Sequence, residues 1–321
     1  MTILPIMASS LIFSTMLCFI SNSWMILWVA LEINTLSFCT VMMNQTTETS
    51  KTNKEPAMKY FIVQSVASAI LVMYLSVQKY SVITNVLFMA GVVALLIKMA
   101  ASPFHSWFTE VLKKMTWLDS TVLMTWQKLA PLYLLTFIIK PLVTFFIILT
   151  TLVGSTTQLL SKSTMEIMAL SSVFNLGWMM LAAMVSLKTM VMFTLMYWSS
   201  VLITMLFLKS LNVKEINKNM SKSMDNWVMM LAMANLAGIP PSIGFLAKWN
   251  TAIQALMNSM TLLVTMMMII SAINFYIYLR LTLTINSSSF AAKQKNMKFS
   301  NPKLIKTMLM VNIPALAMVP M

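Results

Sequence analysis

Glu32, Lys98, His105, Lys128 and Lys248 are ionisable side chains set in or beside otherwise apolar runs. A charge at the centre of an apolar helix costs about 2.5–3.5 kcal/mol on insertion scales, so such residues mark a function by default. The stretch Ala94–Trp107 reads ALLIKMAASPFHSW and carries Lys98, Pro103 and the single histidine, His105. Pro103 has no N–H, so a continuing helix would leave the Met99 carbonyl without its partner. An ammonium group beside a free carbonyl and a ring nitrogen is a candidate proton site. The pattern recurs in TWQKLAP, where Pro131 would free the Gln127 carbonyl beside Lys128. It recurs again in GIPPSIGFLAKW, where Pro240 and Pro241 would release the carbonyls of Leu236 and Ala237 ahead of Lys248. His105 fits a proton relay and, equally, a ring donating to a carbonyl at the break.

The chemistry such a set supports is proton exchange. Taking an ammonium group out of water weakens its hold on the proton, and a nearby carboxylate strengthens it. At ~10 Å and an effective dielectric of ~20, one charge pair is worth roughly 1.7 kcal/mol. A Glu32–Lys98 pair that separates and re-forms would switch a lysine between holding and releasing a proton.

The elements that position these groups are read from the apolar runs. The chain has 321 residues, 59% hydrophobic and 9% charged, with a mean hydropathy of +0.82. Soluble domains carry roughly 25% charged residues, so this chain belongs in a bilayer, where a helix needs about 20 apolar residues to cross. The runs predict an all-α polytopic membrane protein with about eleven transmembrane helices. They fall at 3–20, 24–43, 57–78, 82–102, 120–139, 142–160, 165–186, 190–210, from 226 to the double proline, 256–280 and 304–320. Polar loops are expected at 44–56, 209–223 and 286–306.

The net charge of +14 does not point to nucleic acid, because the lysines lie between apolar runs and alternate with no aromatic face. Connections after even-numbered runs hold Lys51, Lys54, Lys59, Lys113, Lys114, Lys162 and nine further lysines, while those after odd-numbered runs hold Lys79, Lys140 and Lys188. That bias places the N-terminus on the positive side and the C-terminus opposite. Two separated cysteines, Cys18 and Cys39, and one histidine make neither a haem pair, an iron–sulfur cluster nor a zinc set. No cofactor, metal or disulfide is therefore expected on this chain.

The interrupted segments 94–107 and 235–249 suggest a duplicated unit, the pattern that points to a transport path in membrane carriers. The reading is one membrane domain, 1–321, with a first antiporter-like unit at 24–139, a second at 142–257 and C-terminal helices at 258–321.

Taken in order over about residues 20–250, LEIN with Glu32, IKMAASPFHSW with Lys98 and His105, TWQKLAP with Lys128 and GIPPSIGFLAKW with Lys248 resemble a known family. It is chain 2 of mitochondrial NADH–ubiquinone oxidoreductase, an antiporter-like membrane subunit of respiratory complex I. The resemblance implies a multi-pass inner-membrane subunit of an NADH:ubiquinone reductase that translocates protons. Its N-terminus would face the matrix and its C-terminus the intermembrane space. It implies one proton path, with Glu32 paired to Lys98 and with Lys128 and Lys248 continuing a central polar axis. NADH, flavin, iron–sulfur clusters and ubiquinone would belong to other subunits, and the partners would be neighbouring antiporter-like subunits and the lipid bilayer. SSVFNLGW departs from the family in placing Asn175 where relatives often have a histidine. A stand-alone cation/proton antiporter and a non-transporting membrane scaffold are the competing readings. The first would work alone in liposomes with a sodium gradient, and the second would tolerate loss of the buried lysines.

Overall fold

Inside hydrocarbon a backbone must satisfy its own N–H and C=O groups, so apolar runs of this length coil. The computed structural model describes residues 3–45, 54–77, 84–138, 142–161, 163–211, 223–240 and 242–290. Their order is α1 (Ile3–Ile20), α2 (Trp24–Gln45), α3 (Lys54–Val77), α4 (Thr84–Met99), α5 (Ser106–Lys114), α6 (Trp117–Met124), a 3-10 turn (Trp126–Lys128), α7 (Leu129–Phe137), α8 (Leu142–Leu160), α9 (Thr164–Val185), α10 (Leu187–Leu211), α11 (Ser223–Ala237), α12 (Ile243–Met257) and α13 (Thr261–Phe290). Among the described residues, six helices are long and apolar enough to cross a membrane, within α2, α3, α8, α9, α10 and α13. The expected helix at 304–320, most of the 44–56 and 209–223 loops, and Lys162, Lys140 and Lys79 lie outside the described residues.

The chain forms two compact units, Met1–Phe146 and Ile147–Met321. In the first, α1 packs on α2, α2 on α3, α3 on α4, and the short α5 lies against α3. Phe13, Ile62 and Met73 point outward, where a hydrocarbon surrounding costs them nothing. In the second, α9 is the central helix, buried over 94% of its apolar window, with α10 and α12 packed on it.

Several expected helices differ from what forms. The run at 82–102 stops at Met99. There the amides of Ala100 and Ala101 turn back to the carbonyls of Ile97 and Leu96, at 3.1 and 2.9 Å, with Ala100 left-handed at φ 59°. This is the turn that satisfies orphan carbonyls at a helix end. Pro103 lies beyond it and interrupts nothing. The run at 120–139 is not one helix but α6, the 3-10 turn and α7. Pro131 falls in the first turn of α7, where a missing N–H loses no bond. The helix expected from 256 begins later, at Thr261 as α13, because α12 runs on to Met257 and the chain turns at Ser259 (φ 60°). There Ser259 and Met260 donate back to Leu256 and Ala255, at 3.0 and 3.1 Å. Residues 286–290, expected in a loop, continue α13.

The helix α5 is amphipathic and sits on an ionic footing. Phe108, Val111 and Leu112 are buried, while Lys59 pairs with Glu110 at 2.8 Å and with Glu55 at 3.1 Å, and Lys114 pairs with Glu55 at 2.6 Å. The Lys59 ammonium holds the Glu110 carboxyl below the usual carboxylate range. A carboxyl held low when folded lends stability above its unfolded value, and that contribution is lost as pH falls through its folded value. Amide exchange in α5, corrected for intrinsic rate, should therefore accelerate below about pH 4 and change little between neutral pH and pH 5. An α5 that exchanges no faster in acid would show that the ion pairs do not hold it.

In the second unit, α11 and α12 approach so closely that a methyl on Gly244 would overlap the Asn235 backbone carbonyl. A backbone cannot swing aside as a side chain can. Gly244→Ala should cost about 1–3 kcal/mol, seen as a lowered thermal midpoint, and an unchanged midpoint would contradict this packing.

Candidate functional site

In the first unit, the end of α4 and the 3-10 turn present Lys98 and Lys128 to one small cavity. The cavity measures about 10 Å³ and is lined further by Asn34, Gln64, Phe108 and Gln127. That is close to the room one water molecule needs. The two lysine residues are 5% and 3% exposed. Lys98 Nζ has no hydrogen-bond partner among the described residues, and Lys128 Nζ stands over the Phe108 ring, 5.1 Å from its centre. A cation on an aromatic face keeps some of the stabilisation it loses with water. Glu32, half-buried on α2, lies within electrostatic reach of Lys98, but its buried Oε1 has no hydrogen-bond partner among the described residues. The two are thus near each other without a direct bond, and Glu32 does not line the cavity.

Around the lysines stands a neutral frame that sequence reading noted only in part. Asn34 Nδ2 donates to Gln127 Oε1 at 3.1 Å, and Gln127 Nε2 donates back to Asn34 Oδ1 at 3.3 Å. Tyr60 donates to the same Gln127 oxygen at 3.3 Å. Gln64 Nε2 donates to the Lys98 carbonyl at 3.3 Å. The carbonyl with a side-chain partner is thus that of Lys98, not the Met99 carbonyl that a proline inside the helix would have freed. Tyr60 and Gln64 were missed, although they stand four apart on α3 with Ser68 beyond, a buried polar stripe on an apolar helix.

His105 occupies the N-cap of α5 and makes no side-chain cap bond. Its half-buried ring faces the Pro103 carbonyl. It does not line the cavity shared by Lys98 and Lys128.

In the second unit, Lys248 on α12 is 7% exposed. It donates to the Ala237 carbonyl at 2.9 Å and sits 5.0 Å from the centre of the Phe174 ring. The carbonyl is free because α11 ends there. Gly238 is left-handed (φ 80°), and Ile239 turns back to the Ala234 carbonyl at 3.2 Å. Gly238 is needed twice over, for that φ and because a Cβ would stand 3.2 Å from Lys248 Nζ. A cavity of about 270 Å³ opens beside this lysine, lined by Pro240, Phe245, Trp249, Met268 and Phe275 among others. Asn175 is buried on α9 and donates to the Ser171 carbonyl at 3.0 Å. Cys18 and Cys39 are free thiols. Among the described residues no three His, Cys, Asp or Glu side chains gather as a metal set.

An all-helical bundle of long apolar helices, with buried lysines near the turns between helices, is the architecture of an antiporter-like membrane protein. The chain belongs to the NADH:quinone oxidoreductase/Mrp antiporter transmembrane family, whose model matches residues 21–274. Within it, the chain is similar to NADH-ubiquinone oxidoreductase chain 2 of Locusta migratoria, 33% identical over 97% of this chain and 92% of that protein. It is also similar to NADH-ubiquinone oxidoreductase chain 2 of Anopheles gambiae, 34% identical over 86% of this chain and 83% of that one. Among solved structures, a chain of respiratory complex I from Thermus thermophilus superposes with a TM-score of 0.81 at 19% identity, over 97% of this chain and 76% of that chain. A chain of the Mrp complex from Dietzia sp. DQ12-45-1b superposes with a TM-score of 0.79 at 15% identity, over 97% and 73%. At those identities the structures speak for the fold.

The frame of the first cavity makes a stability prediction. Gln127→Leu leaves the Asn34 amide and the Tyr60 hydroxyl buried without their partner, and should cost about 1–3 kcal/mol. Adding Asn34→Leu removes one of the abandoned groups and should recover part of the loss. Thermal unfolding of the single and double variants decides it, and a double variant that loses as much as the two single variants together, or more, would overturn the pairing.

Proposed function

We propose that this chain is a proton-translocating membrane-arm subunit of respiratory complex I, in which electron transfer from NADH to ubiquinone on other subunits drives protons through buried lysines here. The observation that carries the reading is the convergence of Lys98 and Lys128 on one cavity with room for about one water molecule. A proton can pass between two amines through one water, and Glu32 can bias which amine holds it. Lys248, seated on a helix-end carbonyl, is the corresponding group of the second unit. His105, which does not line the cavity, is a further relay outside it.

On this reading the chain crosses the mitochondrial inner membrane about eleven times. Its lysine-rich N-terminal side faces the matrix and its C-terminus the intermembrane space. The stretches 24–139 and 142–257 act as two antiporter-like units. NADH, flavin, iron–sulfur clusters and ubiquinone are held by other subunits, and the chain packs against neighbouring antiporter-like subunits in lipid. The family description, which names the Mrp antiporter beside NADH:quinone oxidoreductase, supports one competing reading, a stand-alone cation/proton antiporter.

In assembled enzyme, Lys98→Ala and Lys128→Ala should abolish proton pumping, while Lys59→Ala, at the exposed ion ladder, should retain most of it. Assembly is followed separately by native electrophoresis, because lost assembly imitates lost pumping. Equal losses from Lys59→Ala and Lys98→Ala would remove the reason for assigning the path to the buried lysines. Sodium-driven proton movement by the isolated chain in liposomes would favour the antiporter.

A further inference from the structure

The buried lysines do not account for all the polarity in the second unit. Gln158 on α8, Tyr197 on α10, and Asn274 and Tyr278 on α13 are 1%, 4%, 0% and 1% exposed. Tyr278 faces Ser171, Gln158 and Asn274, and Tyr197 faces Ser172 and Tyr278. The four side chains therefore form one cluster against the polar side of α9. Its place is fixed by Arg280, whose guanidinium donates to the Leu159 carbonyl at 3.0 Å and ties α13 to the last turn of α8.

These groups are close but not bonded. Both amide atoms of Gln158, both amide atoms of Asn274 and the two tyrosine hydroxyls have no hydrogen-bond partner among the described residues. Buried polar atoms in folded proteins are paired with few exceptions, and hydrocarbon offers nothing to pair them. Six buried polar atoms gathered in one cluster, none with a hydrogen-bond partner among the described residues, call for a ligand.

The donor set identifies its class. No ionised side chain belongs to the cluster. A metal cation would satisfy the carbonyl and hydroxyl oxygens but meet the amide N–H groups with their positive ends. An anion would satisfy the amide N–H groups and be repelled by the amide oxygens. Turning either amide over changes neither statement, since both of its ends need partners. Water both donates and accepts, and it alone pairs every member.

We propose that Gln158, Tyr197, Asn274 and Tyr278 form a buried hydration site that holds a short chain of water molecules within the second unit. The site is distinct from the lysine sites and carries no charge of its own. Waters joined in this way pass protons by exchanging hydrogen bonds, with no side chain changing its ionisation. Ser171 stands three residues before Phe174 on α9, the ring on which Lys248 rests. The assignment goes beyond the proton-path reading and does not depend on it, because it follows from unpaired atoms alone.

Radiolytic footprinting of the intact complex in H218O tests it. Hydroxyl radicals made in place from a bound water modify the side chains it touches and leave 18O on them. Tyr278 and Tyr197 should be labelled several-fold faster than Phe207, an equally buried aromatic residue (2% exposed). The double variant Gln158→Leu/Asn274→Leu should bring Tyr278 to the Phe207 rate. Where that variant does not assemble, Tyr278→Phe should lower the labelling of Tyr197 instead. Tyrosines labelled no faster than Phe207 in the unaltered complex would overturn the proposal. In a map that resolves waters, peaks bonded to both amide nitrogens support it, and a single peak touching oxygens alone would identify a metal cation and overturn it.

Discussion

A helix that stops inside hydrocarbon must find partners for its last carbonyls, and nothing but the protein can supply them. Much of this molecule follows from that requirement. The helices α4, α11 and α12 all end in the same way, with a left-handed residue that turns the chain's own amides back on the open carbonyls. What the turn leaves over is taken by side chains. Gln64 takes the Lys98 carbonyl, and Lys248 takes the Ala237 carbonyl. A helix end in the interior is thus a natural seat for an ammonium group, since the carbonyls there carry the negative end of the helix dipole. At the end of α11 the break and the lysine are one arrangement rather than two.

The two lysine sites solve the burial of a charge differently. In the first unit, Lys98 and Lys128 share a tight space framed by an amide pair, a tyrosine and an aromatic ring. The amide pair locks α2 to the 3-10 turn and so fixes where Lys128 points. In the second unit, Lys248 is held by one carbonyl and one aromatic face, beside a wider cavity with an apolar wall. The first arrangement restrains its lysines from several sides. The second holds its lysine at one point, so the ammonium can leave the carbonyl without disturbing a network.

What was legible in the sequence is the presence of each feature, and what was not is its geometry. Charged residues in apolar runs marked Lys98, Lys128 and Lys248, and all three are buried. Gly238 followed by two prolines announced the end of α11. The ends of α4 and α12 carry no glycine. Ala100 and Ser259 adopt a left-handed conformation that alanine and serine adopt only at a cost, and packing holds Ala100, which is buried, whereas Ser259 lies exposed. Pro103 drew attention to the right neighbourhood for the wrong reason. The 3-10 turn at Lys128 was hidden because its residues read as ordinary helix formers. The Asn34–Gln127 pair joins residues 93 apart in the chain, a distance at which no local pattern speaks. The cluster at Gln158, Asn274 and Tyr278 was invisible for the same reason, since each member looks like an isolated polar residue in an apolar helix.

On the proposed proton-path reading, the size of the first cavity limits what can pass. At about 10 Å³, it has no space for an alkali-metal ion wearing its shell of solvent, and stripping that shell beside two ammonium groups would be prohibitive. A proton needs no such passage, because it is handed from one molecule to the next and arrives without its carrier. On the proposed proton-path reading, dimensions and like charge are therefore enough to discriminate between the two in this unit, with no selective ligand.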